Sequence, residues 1–215
     1  MQDRRFGAMI MLGVVVTLLV SAWNAHMPDV WLLENLALLI VAPFVYMAWR
    51  NGCLSRSSIW LLFLFFCLHE VGTHHTYSDV PYDEWFRRLT GSSISERFGW
   101  QRNHYDRAVH FAYGLLVTCP VREVLVHRAK LAGIWSVVLP FALIITTSAG
   151  YELIEWGAAL LLGGDLGMEY LGIQGDIWDA HKDMALAAAG SATALAACTL
   201  APLLFYRDRG NCAEL

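Results

Sequence analysis

Long apolar runs separated by short polar stretches dominate the chain. Six stand out, at about 6–23, 31–49, 57–77, 106–126, 131–162 and 183–206. A bilayer-crossing helix needs roughly 17–25 mostly apolar residues; each run meets that length, and the fifth exceeds it. None shows the strict alternation of a membrane-barrel strand. The pattern predicts an all-α polytopic bundle of about six transmembrane helices, a single membrane domain over residues 1–215. Pro140 inside the fifth run predicts a kink, a tilt or a portion outside the lipid. The segment 78–105 is long and aromatic, and Trp85-Phe86-Arg87-Arg88-Leu89 within it predicts a short interfacial helix. Such a loop serves either as an anchor on the bilayer or as a lid.

Composition sharpens the class. Hydrophobic residues make up 57% and charged residues 16%, which excludes an ordinary soluble domain. A net charge of -4 argues against a nucleic-acid partner. Arg4 and Arg5 before an apolar run resemble the start of a secretory leader. The run is long, however, and Trp23 spoils the small-residue cleavage pattern, so an uncleaved first span is the better reading. The five cysteines show no CxxC spacing, and three lie in apolar runs. They read as small buried hydrophobes rather than a disulfide framework or thiolate metal site.

Basic residues orient the bundle. With the N-terminus cytoplasmic, the inner segments receive Arg4, Arg5, Arg50, Arg56, Arg122, Arg128, Lys130, Arg207 and Arg209. Short loops weigh most in this rule and place both termini inside. The long second outer loop, with Arg87, Arg88, Arg97, Arg102 and Arg107, does not follow it.

In that orientation the acids and histidines fall at one depth on the outer side. His69, Glu70, His74 and His75 end the third span, and Asp106 and His110 begin the fourth. Glu152 and Glu155 lie near the end of the fifth, and Asp176, Asp179 and Asp183 lie at the start of the sixth. The first two spans contribute almost nothing, with His26, Asp29 and Glu34 placed near a loop. On a helix, Glu70 and His74 share a face, as do Asp106 and His110, and Glu152 and Glu155; Asp176, Asp179 and Asp183 fall at i, i+3, i+7, one stripe if that helix starts early enough. Nearby glycines (Gly114, Gly150, Gly157, Gly190) would let helices approach closely. Each group also has a plain structural role open to it: a core pair for Glu70 and His74, a helix cap for Asp106, a wet vestibule for the glutamates, solvated loop acids for Asp176 and Asp179. Their shared depth favours an ion-binding or catalytic cluster.

The side chains limit the chemistry. His69, His74, His75, Asp106, His110, Asp176, Asp179 and Asp183 are candidate metal ligands, and Glu70, Glu152 and Glu155 candidate ligands or general bases. Imidazole with carboxylate and no thiolate suits zinc, with iron or manganese as alternatives. The candidates outnumber what one tetrahedral ion takes, so one or two ions are expected. Arg97, Arg102 and Arg107 are placed to hold a substrate phosphate or carboxylate, or to pair with neighbouring acids.

Four motifs carry a resemblance: His69-Glu70-Val71-Gly72-Thr73-His74-His75, Asn103-His104-Tyr105-Asp106-Arg107-x-x-His110, Tyr151-Glu152-x-x-Glu155-Trp156 and Gln174-Gly175-Asp176-x-Trp178-Asp179-x-x-Lys182-Asp183. They resemble the YjdF-like family of bacterial inner-membrane proteins over nearly all of spans three to six. The resemblance implies a multi-spanning inner-membrane protein and no particular activity. A fainter, pattern-level likeness runs to VanZ-like proteins, over spans four to six only. From the residues, the expected function is a metal-dependent hydrolase or envelope-modifying enzyme with a lipid or other amphiphilic substrate. An ion or proton-coupled transporter and a structural envelope subunit with a structural metal are the alternatives.

Overall fold

The computed structural model describes residues 4–200, which fold into helices with no strand among them. In chain order they are α1 (Arg4–Ala22), α2 (Pro28–Arg50), α3 (Arg56–His74), α4 (Tyr82–Thr90), α5 (Ile94–Phe98), α6 (Tyr105–Arg128), α7 (Trp135–Leu162), α8 (Gly164–Leu171) and α9 (Asp179–Leu200). Four of these, α1, α2, α6 and α7, are long and apolar enough to cross a membrane. Helices α3 and α9 are of comparable length but gather ionisable residues in one end turn, which dilutes their apolar character. The part of the sixth run beyond residue 200, with Arg207 and Arg209, lies outside the described residues.

Helices α6 and α9 cross at the centre of the molecule, at a contact made of small residues. A Cβ added to Gly190 would fall 2.1 Å from the Phe111 carbonyl oxygen, so the two backbones touch where side chains normally keep them apart. One turn on, the buried Thr118 hydroxyl bridges the crossing to Ser191 Oγ at 2.8 Å. Gly150 and Gly157 play no such part: nothing lies within 4 Å of an added Cβ at either. Farther along the same pair, Cys119 and Cys198 form a disulfide with their Cα atoms 7.0 Å apart. This corrects the reading of these cysteines as free thiols. Their sequence separation of 79 leaves no spacing signal for the pairing.

Helix α3 is fastened to this core. Ser55 caps its N-terminus, and Glu123 of α6 accepts from the Ser55 backbone N–H at 3.0 Å, Ser55 Oγ at 3.1 Å and Ser58 Oγ at 2.5 Å. Helix α7 starts at Trp135 and carries Pro140 inside it; the Ser136 carbonyl, four residues back, which loses its helical donor to the proline, accepts instead from Arg122 Nε of α6 at 2.9 Å.

The 78–105 segment folds as two short helices. Helix α4 contains the expected interfacial stretch. Helix α5 was not foreseen, although its Ser93/Glu96 capping box is its sequence signature. A clasp ties this segment to the 173–178 turn: Asn103 Nδ2 donates to the Val80 carbonyl (2.9 Å), Gln174 Oε1 accepts from the Asn103 N–H (2.9 Å), and Arg102 reaches the Ile173 carbonyl (3.2 Å).

Candidate metal centre

The clasp leads into the first turns of α6 and α9, where their acidic residues meet; Glu152 and Glu155 of α7 lie two to three turns inside its C-terminal end. Asp106 and His110 stand one turn apart on α6, and the α6–α9 crossing sets Asp183 against them. One ligand atom from each of the three lies within 4.8 Å of the others. Glu152 of α7 completes the group, its Oε1 at 3.5 Å from His110 Nε2, the same distance at which Asp106 Oδ1 sits. Asp183 is 2% exposed. Its Oδ1 and the Oε1 of Glu152 are buried with no hydrogen-bond partner. Glu155 lies against Glu152.

Asp176 and Asp179 occupy a different place. Arg102 grips Asp179 with both guanidinium nitrogens, at 2.5 and 3.1 Å, and Arg107 spans Asp176 (2.5 Å) and Asp179 (3.1 Å). Lys182 adds a 2.5 Å contact to Asp176. Lys182 and the Trp178 N–H, with Arg107, hold the Asp176 carboxyl well below the usual carboxylate range. These two aspartates form an ion-pair lock with the arginines. The same lock occupies two of the three arginines expected at a substrate anion. Arg97, the third, lies over the Phe86 ring and donates to Ser92 Oγ, on the α4–α5 surface. His104 abuts the lock, and burial, then Arg107 and Arg102, push its pKa down.

The histidines of the third span diverge. His69 bonds through Nδ1 to the Tyr77 hydroxyl at 2.6 Å, while its Nε2 is buried and unpartnered. Tyr77 reaches it because Thr76 and Tyr77 adopt positive φ and fold the chain back over Gly72, where an added Cβ would strike the Tyr77 ring at 2.5 Å. His74 turns the other way and bonds through Nδ1 to the Ser21 carbonyl of α1 at 2.8 Å. His75 lies past the helix end, between the His74 and Trp85 rings. Glu70 shares the His74 face, as helical spacing predicts, and is buried against α1 and α2, away from the Asp106–His110–Asp183 group.

One residue that the sequence reading set aside as lying near a loop is in fact buried within the bundle. Glu34, on α2 and 3% exposed, accepts a hydrogen bond from the Tyr151 hydroxyl of α7. Tyr151 is the neighbour of Glu152, and Glu155 and Tyr77 lie within electrostatic reach of Glu34. Helix α8 folds back on α7 and sets Tyr170 beside Tyr151. The available signal was a lone acid several residues inside a predicted span, which is itself a functional flag.

Comparison with known proteins agrees with the motifs. A model of the predicted membrane protein family DUF2238 matches residues 6–202. The chain is 34% identical over 183 residues to the inner membrane protein YjdF of Escherichia coli (strain K12), covering 85% of this chain and 83% of that protein. No solved structure matches. The chain is therefore a multi-pass inner-membrane protein that belongs to the DUF2238 family.

Proposed function

We propose that the chain is a divalent-metal-dependent membrane hydrolase that acts on a lipid or other amphiphilic envelope molecule. Its metal site would lie at the periplasmic face, held by Asp106, His110 and Asp183 with Glu152 beside them. In this reading α3 and α9 cross the membrane with α1, α2, α6 and α7, six spans in all, with both termini in the cytoplasm. The ionisable ends of α3 and α9 then sit at the outer surface, where water and substrate headgroups reach them.

The observation that carries the proposal is the meeting of Asp106, His110 and Asp183 from two helices, with buried oxygens of Asp183 and Glu152 left unpartnered. Buried carboxylates are costly unless a cation or a hydrogen bond satisfies them. Arg102 and Arg107 are already engaged by Asp176 and Asp179. A divalent ion supplies the missing charge. Oxygen donors with one imidazole suit zinc, iron or manganese, and the single convergent group among the described residues supports one ion.

A bound divalent ion would activate water or polarise an ester or phosphoryl oxygen. The chain's own residues supply the rest. Glu152, between His110 and Glu155, would serve as the general base of such a site. The Arg102–Asp179 pair anchors the first turn of α9 and so fixes Asp183 one turn later. Arg102 of the clasp reaches the first residue of α9, and Trp85 and Leu89 of α4 are exposed for contact with lipid.

The test is elemental analysis of the full chain, purified in mild detergent without chelator, together with hydrolysis of extracted envelope lipids. About one zinc, iron or manganese ion per chain is expected, lost in Asp183→Asn. Absence of a bound transition metal, with no binding on addition of zinc, iron or manganese, would overturn the proposal.

A further inference from the structure

A second polar pocket lies in the other half of the molecule, where α1, α2 and α3 meet. Its centre is Glu70, 2% exposed, with both carboxyl oxygens buried and without a hydrogen-bond partner. Trp31, Ser21 and Thr73 ring the carboxyl group. None of them makes a hydrogen bond of ordinary geometry to it. Trp31 Nε1 donates to Ser21 Oγ at 2.9 Å, Ser21 Oγ donates to the Glu70 backbone carbonyl at 3.0 Å, and Thr73 Oγ1 donates to the same carbonyl at 3.2 Å. Each hydroxyl, with its hydrogen so engaged, retains acceptor capacity, and the two oxygens lie 3.4 Å apart. Asn35, one turn along α2 from Trp31, donates its amide to the Trp31 carbonyl at 2.9 Å and leaves Oδ1 buried and unpartnered. Oxygen acceptors therefore outnumber the hydrogens offered to them.

The charge of this pocket differs from that of the acidic cluster. Glu70 is the one carboxylate among the side chains that ring it, and those neighbours include no Lys or Arg. The thiol of Cys67, one turn back on α3, lies within electrostatic reach of Glu70. One negative charge among neutral oxygen donors is balanced by one positive charge; a divalent ion would leave the pocket cationic in a low-dielectric setting. Oxygen-only donors select a hard cation. The pocket is tight, with Thr73 fully buried and Ser21 5% exposed, which favours a small ion.

We propose that Glu70, Ser21 and Thr73, with Asn35 on the adjoining face of α2, form a sodium-ion site that joins α1, α2 and α3. A surface groove lined by Val20, Trp23, Asn24 and His74 lies at the same end of α1 and α3. His74 stands one turn beyond Glu70 on the same face and closes on the Ser21 carbonyl. The site shares no ligand with the proposed metal centre, and its occupancy would stabilise the packing of the first three helices.

The experiment is thermal unfolding of the detergent-purified full chain in sodium, potassium or choline chloride at equal ionic strength. A saturable, sodium-specific rise is expected, about 4 °C at tenfold excess over the dissociation constant. The rise should vanish in Glu70→Gln and persist in Asp183→Asn, so that this site and the metal centre stand or fall separately. Should Glu70→Gln not fold, equilibrium binding of radiolabelled sodium to the wild type is expected to give about one ion per chain. In that assay Ser21→Ala with Thr73→Val should weaken binding at least tenfold. No sodium-specific shift and no bound label, the result if Glu70 carries only a proton, overturns the proposal. A shift undiminished in these variants overturns it equally.

Discussion

Gly114 meets the backbone of Ala187 so closely that an added Cβ would lie 2.0 Å from the Ala187 carbonyl oxygen. That contact sets the depth and rotation at which α6 and α9 cross, and so the position of Asp183 against His110. Substitution of Gly114 or Gly190 by Leu should destabilise the protein by at least the roughly 1–3 kcal/mol of overpacking. The loss would register as a lowered unfolding midpoint in detergent together with loss of bound metal. Gly150→Ala is the control and should stay within about 0.5 kcal/mol of wild type, because nothing lies within 4 Å of the added carbon.

Separation of the acids into two groups predicts two kinds of variant. Asp183→Asn, Asp106→Asn or His110→Ala should lower metal affinity at least tenfold, since each removes a converging atom. Asp176→Asn should leave the metal stoichiometry unchanged, because Asp176 is held by Arg107 and Lys182. His74→Ala should also retain the metal. Elemental analysis of the purified variants decides each case.

The Asp176 lock has a pH signature. Its folded-state pKa lies below the ordinary aspartate value of about 3.9, through the Lys182, Trp178 N–H and Arg107 contacts. Its contribution is then complete above the unfolded pKa and is lost as pH falls through the lower, folded value. The gap in unfolding temperature between wild type and Asp176→Asn should be constant from neutral pH down to about pH 5. It should close only below about pH 4. A gap that closes near neutrality would contradict the lock.

Glu34 and Tyr151 join α2 to α7 through one buried hydrogen bond. Tyr151→Phe removes the donor and strands a carboxyl that is 3% exposed, at a cost of about 1–3 kcal/mol. Glu34→Gln keeps an acceptor for the phenol and should cost less. Comparison of the two by denaturant titration in detergent separates loss of the hydrogen bond from loss of the acid.

Much of this arrangement was legible residue by residue. Helical spacing paired Asp106 with His110 and Glu70 with His74, and both pairs do share a face. The order of elements in the 78–105 segment was half visible: Trp85 to Leu89 announced α4, and the Ser93/Glu96 box would have announced α5. His69 and His74 show where spacing stops being informative. They lie five positions apart on one helix, and each found its partner on a different neighbour: Tyr77 for one, the Ser21 carbonyl for the other. Asp179 and Asp183 are a single turn apart, yet one is bound to Arg102 and the other faces His110.

Membrane character, and the expectation of a common level for the acids and histidines, follow from amino-acid order alone, because hydrocarbon admits long apolar helices and disfavours ionisable groups within them. Which of those groups meet does not follow from order. It depends on helix rotation, and rotation is set by non-local contacts: the Gly114–Gly190 crossing, the Glu123 anchor on α3, and the fold-back of Tyr77 over Gly72. A helix turned by one residue moves every side chain by about 100°, enough to carry an acid from a metal ligand to an arginine's partner.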